Sequence, residues 1–242
     1  MNIGIIIQAR MGSTRYPGKV LKKLYKDKTI LDICIESLRS LNYKIIIATT
    51  TKKEDELIIR IAKSNKLDYY CGNENDVLQR YIDCAIELDI SKIIRVTSDN
   101  IFLQPSLISP LIEYDHSDLD YISYKINNKN VVLTHWGFFG EYVTLEALKK
   151  VKSLTKDKMD LENVTYYIYH HPDKFNIELW DVPKELNRND IRLTIDTVED
   201  FNICQKIFIF LKQNDLEPNY QNILEYLNKN PGILEEMKAQ IN

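Results

Sequence analysis

The chain opens with an apolar run that ends abruptly in a cationic loop. The run, residues 3–7, is long enough to form one buried strand. The loop that follows, residues 8–19, contains two glycines, hydroxyl side chains and the cations Arg10, Arg15 and Lys19. In open α/β sheets, anionic ligands bind beyond the carboxyl ends of the strands. The pattern therefore predicts an α/β fold with a polyphosphate site next to the first strand.

The composition is typical of a globular protein and argues against nucleic-acid-binding and membrane-spanning classes. Hydrophobic residues make up 44% of the 242 residues and charged residues 28%, which is typical of a globular protein. The net charge of −3 argues against nucleic-acid binding, because such binding draws on a cationic excess. The cysteines are scattered and favour reduced thiols over a zinc site or disulfides. No stretch approaches the about 20 apolar residues of a membrane span. We therefore expect a cytoplasmic protein that binds neither nucleic acid nor membrane.

Short apolar segments alternate with amphipathic ones along the first 125 residues. Strands that are apolar throughout and separated by helices indicate a mainly parallel sheet covered on both faces. The predicted strands are residues 3–7, 44–49, 67–70, 92–96 and 119–124, and the predicted helices are residues 29–41, 53–64, 75–88 and 107–114. We expect a doubly wound α/β fold of the nucleotide-binding kind.

The pattern changes after residue 125. We interpret the chain as one domain, residues 1–242, in which approximately residues 126–186 form an inserted α+β lobe. Within it, residues 131–133 and 142–143 could pair as antiparallel strands. The further predicted elements are helices at 145–151 and 161–170, strands at 175–180 and 193–195, a helix at 199–212, and two helices separated at Pro231.

The loop at residues 12–19 differs from two common phosphate-binding motifs. Five residues separate Gly12 from Gly18, whereas a Walker A loop has four. Val20 stands where that motif needs a Ser or Thr for Mg²⁺. The dinucleotide fingerprint Gly-x-Gly-x-x-Gly is also absent from the sequence. What remains is a longer cationic loop in which Gly12 lets backbone N–H groups approach phosphate oxygens.

Two carboxylates follow predicted buried strands. Asp99 comes after the strand at 92–96 and Asp196 after that at 193–195. Carboxylates delivered to one edge of a sheet can share Mg²⁺, a cation that takes oxygen ligands. The alternative is that each caps the helix that follows it. Asp200 fits a first-turn helix acid that interacts with the helix dipole.

Several blocks of the sequence resemble the cytidylyltransferase superfamily. The segment 8–21 resembles its opening signature, and is most similar to the spore coat polysaccharide biosynthesis cytidylyltransferase-like branch. More distant relatives activate 3-deoxy-manno-octulosonate or sialic acid. Further similar blocks, in the family's order, are residues 48–50, 72–81, 95–100, 162–172 and 194–200. The resemblance implies a nucleotide-diphospho-sugar transferase-like fold.

The resemblance also implies a reaction and its residues. The acceptor oxygen would attack the α-phosphorus of CTP and release pyrophosphate, with Mg²⁺ as cofactor. Arg10, Arg15 and Lys19 would hold the triphosphate, and Asp99 and Asp196 the metal. The residues implied to complete the nucleotide site are Gly12 and Ser13 at the phosphates, and Ala9, Ala48, Thr49, Asn73 and Arg80 at the base. Relatives also imply a homodimer.

The sequence departs from the family in the region expected to bind the acceptor. Phe139 replaces an Asp that relatives carry, Asn163 stands where many have His, and Glu141 is kept. We expect these residues to contact a small acidic acceptor, with a sugar acid for surface glycans as the leading candidate. A phosphate- or phosphonate-bearing acceptor is the alternative. The rivals are a catalytically silent CTP-binding homologue and a glycosyltransferase of related fold, whose Asp-x-Asp element is absent at residues 99–101.

Overall fold

The computed structural model describes residues 2–241 and is organised around one mixed β-sheet. The sheet has the strand order β10-β7-β9-β6-β1-β4-β5, with β8 paired to β7, and β2 and β3 form a separate hairpin. The strands are β1 Ile3–Gln8, β2 Lys23–Tyr25, β3 Lys28–Thr29, β4 Lys44–Thr50, β5 Asp68–Gly72, β6 Lys92–Thr97, β7 Tyr121–Ile126, β8 Lys129–Asn130, β9 Glu141–Thr144 and β10 Ile177–Asp181.

Four of the seven strand pairs that the described chain forms in the main sheet are parallel. β1 is parallel to β4 and β6, β4 is parallel to β5, and β7 is parallel to β10. β9 is antiparallel to both of its neighbours, β6 and β7. The mainly parallel sheet predicted from the sequence is therefore confirmed.

The central strands are covered on both faces, as their apolar runs predict. In β1, Ile5 and Ile7 belong to one hydrophobic cluster and Ile6 to a second, and all three are fully buried. Successive side chains of a strand point to opposite faces. The two clusters therefore lie on the two sides of the sheet, which is the doubly wound arrangement.

The helices flank the sheet. Their bounds are α1 Ile30–Leu38, α2 Glu56–Ser64, α3 Val77–Glu87, α4 Pro105–Glu113, α5 Leu145–Leu154, α6 Lys158–Glu162, α7 Tyr166–His170, α8 Val198–Gln213, α9 Tyr220–Lys229 and α10 Pro231–Lys238. Several begin at a side chain that accepts a backbone N–H, as Thr29 does for α1 and Asp76 for α3. Within residues 2–241, none of these helices has both the length and the apolar character needed to cross a bilayer.

The antiparallel pairing predicted for residues 131–133 and 142–143 is wrong. Val131–Leu133 is a 3₁₀ turn, and the side chain of Asn130 accepts the backbone N–H of Val132 at 3.2 Å. Residues 142–143 lie in β9, which has β6 on one side and β7 on the other. Both edges of β9 are thus occupied by β6 and β7, and no edge remains for residues 131–133.

The strand predicted at residues 193–195 is also wrong, although the segment is buried. The backbone N–H groups of Leu193 and Thr194 donate to the carbonyl of His135, and that of Ile195 donates to the carbonyl of Asp99. These acceptors belong to loops, so this part of the described chain adds no strand to the sheet. The last hydrogen bond still places Asp196 next to Asp99.

The helix predicted at residues 161–170 is interrupted. α6 ends at Glu162 and α7 begins at Tyr166. Between them Val164 has a φ of 39°, a conformation that ends a right-handed helix and is rare for a β-branched residue. The break leaves Asn163 exposed between the two short helices.

The segment 126–186 is joined to the main sheet. It supplies β9, which lies within the sheet, and β10, which pairs with β7 at one end of it. Its helices α5 and α6 pack against α3 of the preceding half. The division of the chain into a main part and an inserted lobe stays a prediction.

Candidate active site

The candidate site lies where β1 and β6 end. Gln8 of β1 is in register with Thr97 of β6, so the loops that follow the two strands leave the sheet at the same edge. The antiparallel β9 begins at this edge, since its first residue, Glu141, is in register with Arg95. The strand order therefore brings together three segments that are far apart in sequence.

The loop after β1 is held by backbone contacts. The N–H of Ala9 donates to the carbonyl of Ala48 at 3.1 Å, and the N–H of Met11 donates to Asp55 Oδ1 at 2.7 Å. Gly18 adopts a left-handed φ of 68°, which favours glycine. A Cβ at Gly12 would lie 3.0 Å from the Glu74 carboxylate. The glycines thus allow a compact turn with close neighbours.

A cavity of about 280 Å³ opens beside this loop. It is lined by most of the residues that the sequence assigned to the nucleotide and metal. The lining residues among them are Ala9, Arg10, Ser13, Arg15, Lys19, Arg80, Asp99 and Asp196. We call this space the nucleotide cavity, after its predicted ligand.

The remaining residues assigned to the nucleotide lie behind or beside that cavity. Ala48 and Thr49 are buried in β4, and the carbonyl of Asn73 accepts Nη1 of Arg80 at 2.8 Å. Asn73 lines a neighbouring cavity together with Arg10. Burial lowers the pKa of the Arg80 guanidinium below its ordinary value. Contact of these residues with a base stays a prediction.

A second cavity of about 400 Å³ adjoins the first. The two share Gln8, Arg15, Arg95, Thr97, Asp99, Asn163 and Asp196. The second extends toward β9 and the segment 131–140, and Phe139 and Glu141 contribute to its wall. We call it the acceptor cavity, because the residues predicted to contact the acceptor, Phe139, Glu141 and Asn163, all line it.

Lys19 lies between the two carboxylates that were assigned to metal. Its Nζ donates to Asp99 Oδ2 at 2.9 Å, to Asp196 Oδ1 at 3.2 Å and to the carbonyl of Ile195 at 2.6 Å. Burial disfavours the charged ammonium, but the two carboxylates outweigh it and raise the pKa of Lys19. Burial likewise opposes ionisation of Asp99, yet Lys19 and a hydrogen bond from Thr97 hold the pKa of Asp99 below its ordinary value.

Neither carboxylate is used as a helix cap. α4 begins at Pro105, well after Asp99. The cap of α8 is formed by Thr197 and Asp200, whose side chains and backbones bond reciprocally. Asp200 also accepts the backbone N–H of Asp196 at 2.9 Å. The Asp196 carboxylate is therefore left for three cations: Oδ1 contacts Lys19 and Arg15, whose Nη2 lies 2.9 Å away, and Oδ2 lies 3.5 Å from Nη2 of Arg192.

The oxygen atoms that surround Lys19 Nζ could serve as ligands of a divalent cation. Two carboxylates and a backbone carbonyl converge on one nitrogen, and these are the oxygen ligands that Mg²⁺ takes. Nowhere in residues 2–241, this site included, do three or more His, Cys, Asp or Glu side chains form a group that could hold a metal, so a cation here would have two side-chain ligands. Asp99 and Asp196 thus form the best candidate pair, and metal binding by them stays a prediction.

Arg95 is a site residue that the sequence analysis missed. It lines both cavities, and its Nη1 pairs with Glu141 while Nη2 donates to Gln8 Oε1 at 3.2 Å. Glu141 also accepts hydrogen bonds from the Tyr121 hydroxyl and from Thr165 Oγ1. The signal was present in the sequence, because Arg95 interrupts an otherwise apolar strand.

The acceptor cavity also contains neutral polar groups that the sequence analysis did not identify. Arg192 donates from Nη1 to Nδ1 of His135 at 2.8 Å, so the ring proton lies on Nε2. Burial and the Arg192 charge lower the pKa of His135. Asn100 Oδ1 and Thr194 Oγ1 are buried without a hydrogen-bond partner among the described residues. His135, Asn100 and Thr194 all line the acceptor cavity.

Comparisons with known proteins identify the family of this chain. The sequence matches a family model described as cytidylyltransferase over residues 4–237. An uncharacterised protein of Methanocaldococcus jannaschii is 38% identical over 96% of this chain and 93% of its own length. The spore coat polysaccharide biosynthesis protein SpsF of Bacillus subtilis is 29% identical over 98% of this chain and 99% of its own.

A solved structure supports the same assignment. A cytidylyltransferase from Leptospira borgpetersenii serovar Hardjo-bovis superimposes with a TM-score of 0.82 at 29% identity, and the match covers 97% of both chains. This likeness confirms the nucleotide-diphospho-sugar transferase-like fold that the resemblance implied. Because the family model covers nearly all of the sequence, the chain belongs to the cytidylyltransferase family and is a nucleotidyltransferase.

Proposed function

We propose that the protein transfers CMP from CTP to a small acidic acceptor in a Mg²⁺-dependent reaction that releases pyrophosphate. The observation that carries the proposal is the pair of adjoining cavities, which meet at Arg15, Asp99 and Asp196. Two substrates bound in the two cavities would face each other at this junction. The junction is therefore where the new bond would form.

The charge around the nucleotide cavity suits a triphosphate. Arginine and lysine outnumber carboxylates in its lining, and an anionic chain gains from such an excess. Arginine offers a planar fork of donors and lysine a compact charge, so both bind phosphate oxygens. The lining cations are Arg10, Arg15, Lys19, Arg80 and Arg95, and the lining carboxylates are Asp99, Glu162 and Asp196.

The acceptor cavity suits a hydroxylated molecule whose acid group lies at the junction. Asn100 and His135 line it outside the wall shared with the nucleotide cavity, and their N–H groups match the oxygen atoms of hydroxyl groups. Its charged groups lie toward the shared wall, where Arg15 has a side chain 62% exposed and available to an anion. A carboxylate, phosphate or phosphonate would satisfy this requirement.

In the proposed step an acceptor oxygen attacks the α-phosphorus and the bond to pyrophosphate breaks. Arg10, Arg15 and Lys19 stabilise the negative charge that develops on the leaving group. Asp99 and Asp196 hold a divalent cation, which supplies charge neutralisation and orientation when bound. Arg95 and Gln8 line both cavities and are joined by a hydrogen bond, which positions the two side chains at the junction.

The biological setting is proposed from the relatives. One relative is named for spore coat polysaccharide biosynthesis, which favours a sugar acid destined for a surface glycan as the acceptor. The cytoplasmic location and the homodimer expected from the sequence stay predictions.

The test is pyrophosphate release with each of the four nucleoside triphosphates, Mg²⁺, and a panel of sugar acids, small phosphates and phosphonates. We expect release that requires CTP and one acceptor class. Equal release with all four triphosphates would contradict the cytidylyl assignment. CTP binding without release for any acceptor would favour the catalytically silent homologue.

A further inference from the structure

Lys19 has no remaining donor for a phosphate in the conformation observed. An ammonium has three N–H donors, and the contacts of Lys19 Nζ with Asp99, Asp196 and the Ile195 carbonyl match them in number. Its side chain is only 10% exposed. Binding of a triphosphate oxygen by Lys19 therefore requires that at least one of these contacts breaks.

The position of Nζ coincides with the place proposed for the metal. A cation bound by both Asp99 and Asp196 would have oxygens of the same two carboxylates around it, and Mg²⁺ holds such oxygens at about 2.1 Å. An ammonium and a divalent cation repel each other and cannot both occupy this small space. Arg15 contacts the same oxygen of Asp196 as Lys19 does, but its side chain is 62% exposed, whereas that of Lys19 is buried between the two carboxylates.

Lys19 can reach the nucleotide cavity from this position. It begins the 3₁₀ turn Lys19–Leu21, directly after Gly18, and it lines the nucleotide cavity. Its four-carbon stem allows the ammonium to turn without a backbone shift. The triphosphate would offer phosphate oxygens in exchange for the carboxylates.

We propose that Lys19 holds the metal position between Asp99 and Asp196 in the nucleotide-free enzyme and moves to the triphosphate when CTP and metal bind. This inference rests on the proposed function and adds to it a role for Lys19 before the nucleotide binds. Until the nucleotide binds, Lys19 stays paired with both carboxylates. Metal and CTP then bind with positive coupling. Metal binding displaces Lys19 toward the triphosphate, and CTP binding draws Lys19 away from the metal position. Coupling of this kind is reciprocal between the two ligands.

The test is the affinity of the nucleotide-free protein for Mn²⁺, followed by electron paramagnetic resonance of the free ion. Lys19→Met removes the charge and keeps the length of the side chain. We expect Lys19→Met to bind Mn²⁺ about 10-fold more tightly than the wild type, a typical size for such coupling. Lys22→Met is the matched control, because Lys22 is an exposed lysine of the same region and should leave the affinity unchanged. Equal or weaker Mn²⁺ binding by Lys19→Met would overturn the proposal.

A second measurement covers the case in which Lys19→Met does not fold without metal. A crystal structure of the wild type with Mg²⁺ and a non-hydrolysable CTP analogue should show Lys19 Nζ within hydrogen-bond distance of a phosphate oxygen. Nζ still bridging both carboxylates in that complex would overturn the proposal. The two proposals fail separately, since a lack of pyrophosphate release with every acceptor would leave the Mn²⁺ comparison untouched.

Discussion

Arg95 and Glu141 form a buried ion pair beneath the junction of the two cavities. Their side chains are 8% and 5% exposed, and the two residues face each other in the register of β6 and β9. Tyr121 and Thr165 complete the hydrogen bonding of the carboxylate. The pair thus ties the antiparallel strand β9 to the parallel half of the sheet at the site itself.

Loss of the Glu141 charge should destabilise the protein. Glu141→Gln leaves the Arg95 guanidinium buried without its counter-ion, and removing one partner of a buried pair costs about 3–5 kcal/mol. Urea unfolding measures the change in the free energy of unfolding. The control is Glu146→Gln on the exposed surface of α5, where we expect less than about 0.5 kcal/mol. A loss for Glu141→Gln as small as that of the control would show that the pair is not what holds β9 in place.

Asp99→Asn should separate metal-dependent turnover from nucleotide binding. The substitution removes one carboxylate from Lys19, so we expect CTP affinity in the presence of EDTA to be unchanged or higher. Pyrophosphate release should fall by on the order of 100-fold, because charge stabilisation at the reacting phosphate is lost. Calorimetry and the release assay measure the two effects. Asp173→Asn, an exposed change outside both cavities, serves as the control, and retained turnover in Asp99→Asn would remove Asp99 from the metal site.

Thr194→Val should raise the stability of the protein. The Thr194 hydroxyl is buried without a partner among the described residues, and such a group costs about 1–3 kcal/mol. Valine keeps the shape and removes that cost, so the melting temperature should rise. A lower melting temperature would mean that the hydroxyl has a structural partner, such as a bound water.

His116 should make stability depend on pH. It is buried, stacks on Tyr142 with ring centroids 3.9 Å apart, and lies with Nε2 2.6 Å from the carbonyl of Leu111. Burial is the largest influence and lowers the pKa of His116 below its ordinary value. The unfolded chain therefore binds a proton first as the pH falls, so the stability contribution is complete above about pH 6.5 and is lost at lower pH.

Melting temperatures between pH 7.5 and 5.5 test this dependence. The wild type should lose stability across that range, and His116→Gln should lose less over the same range. His170→Gln, at an exposed histidine, should follow the wild type. Parallel curves for His116→Gln and the wild type would show that His116 does not contribute.

The elements that were predicted correctly are those whose pattern lies within a short stretch of the sequence. The run of isoleucines in β1 and the amphipathic spacing of α3 are visible without any tertiary information. The cationic loop was identified for the same reason, since its residues are neighbours in the chain. The strand predicted at residues 193–195 was wrong because its burial comes from loop contacts, which a strand-like apolar run does not distinguish from a sheet.

The parts of the site that depend on distant contacts could not be predicted. The partners of β9, the pairing of Arg192 with His135, and the position of Lys19 between two carboxylates all join residues far apart in the chain. In the sequence Lys19 was assigned to phosphate by its place in the loop. Only the fold shows that it also lies at the place proposed for the metal.

The most direct test of the central claim is an analysis of the products of a complete reaction with CTP, Mg²⁺ and the best acceptor of the panel. Phosphorus NMR and mass spectrometry should show one CMP joined to the acceptor for each pyrophosphate released. Release of inorganic phosphate and CDP, or pyrophosphate release without a CMP-acceptor product, would contradict the account.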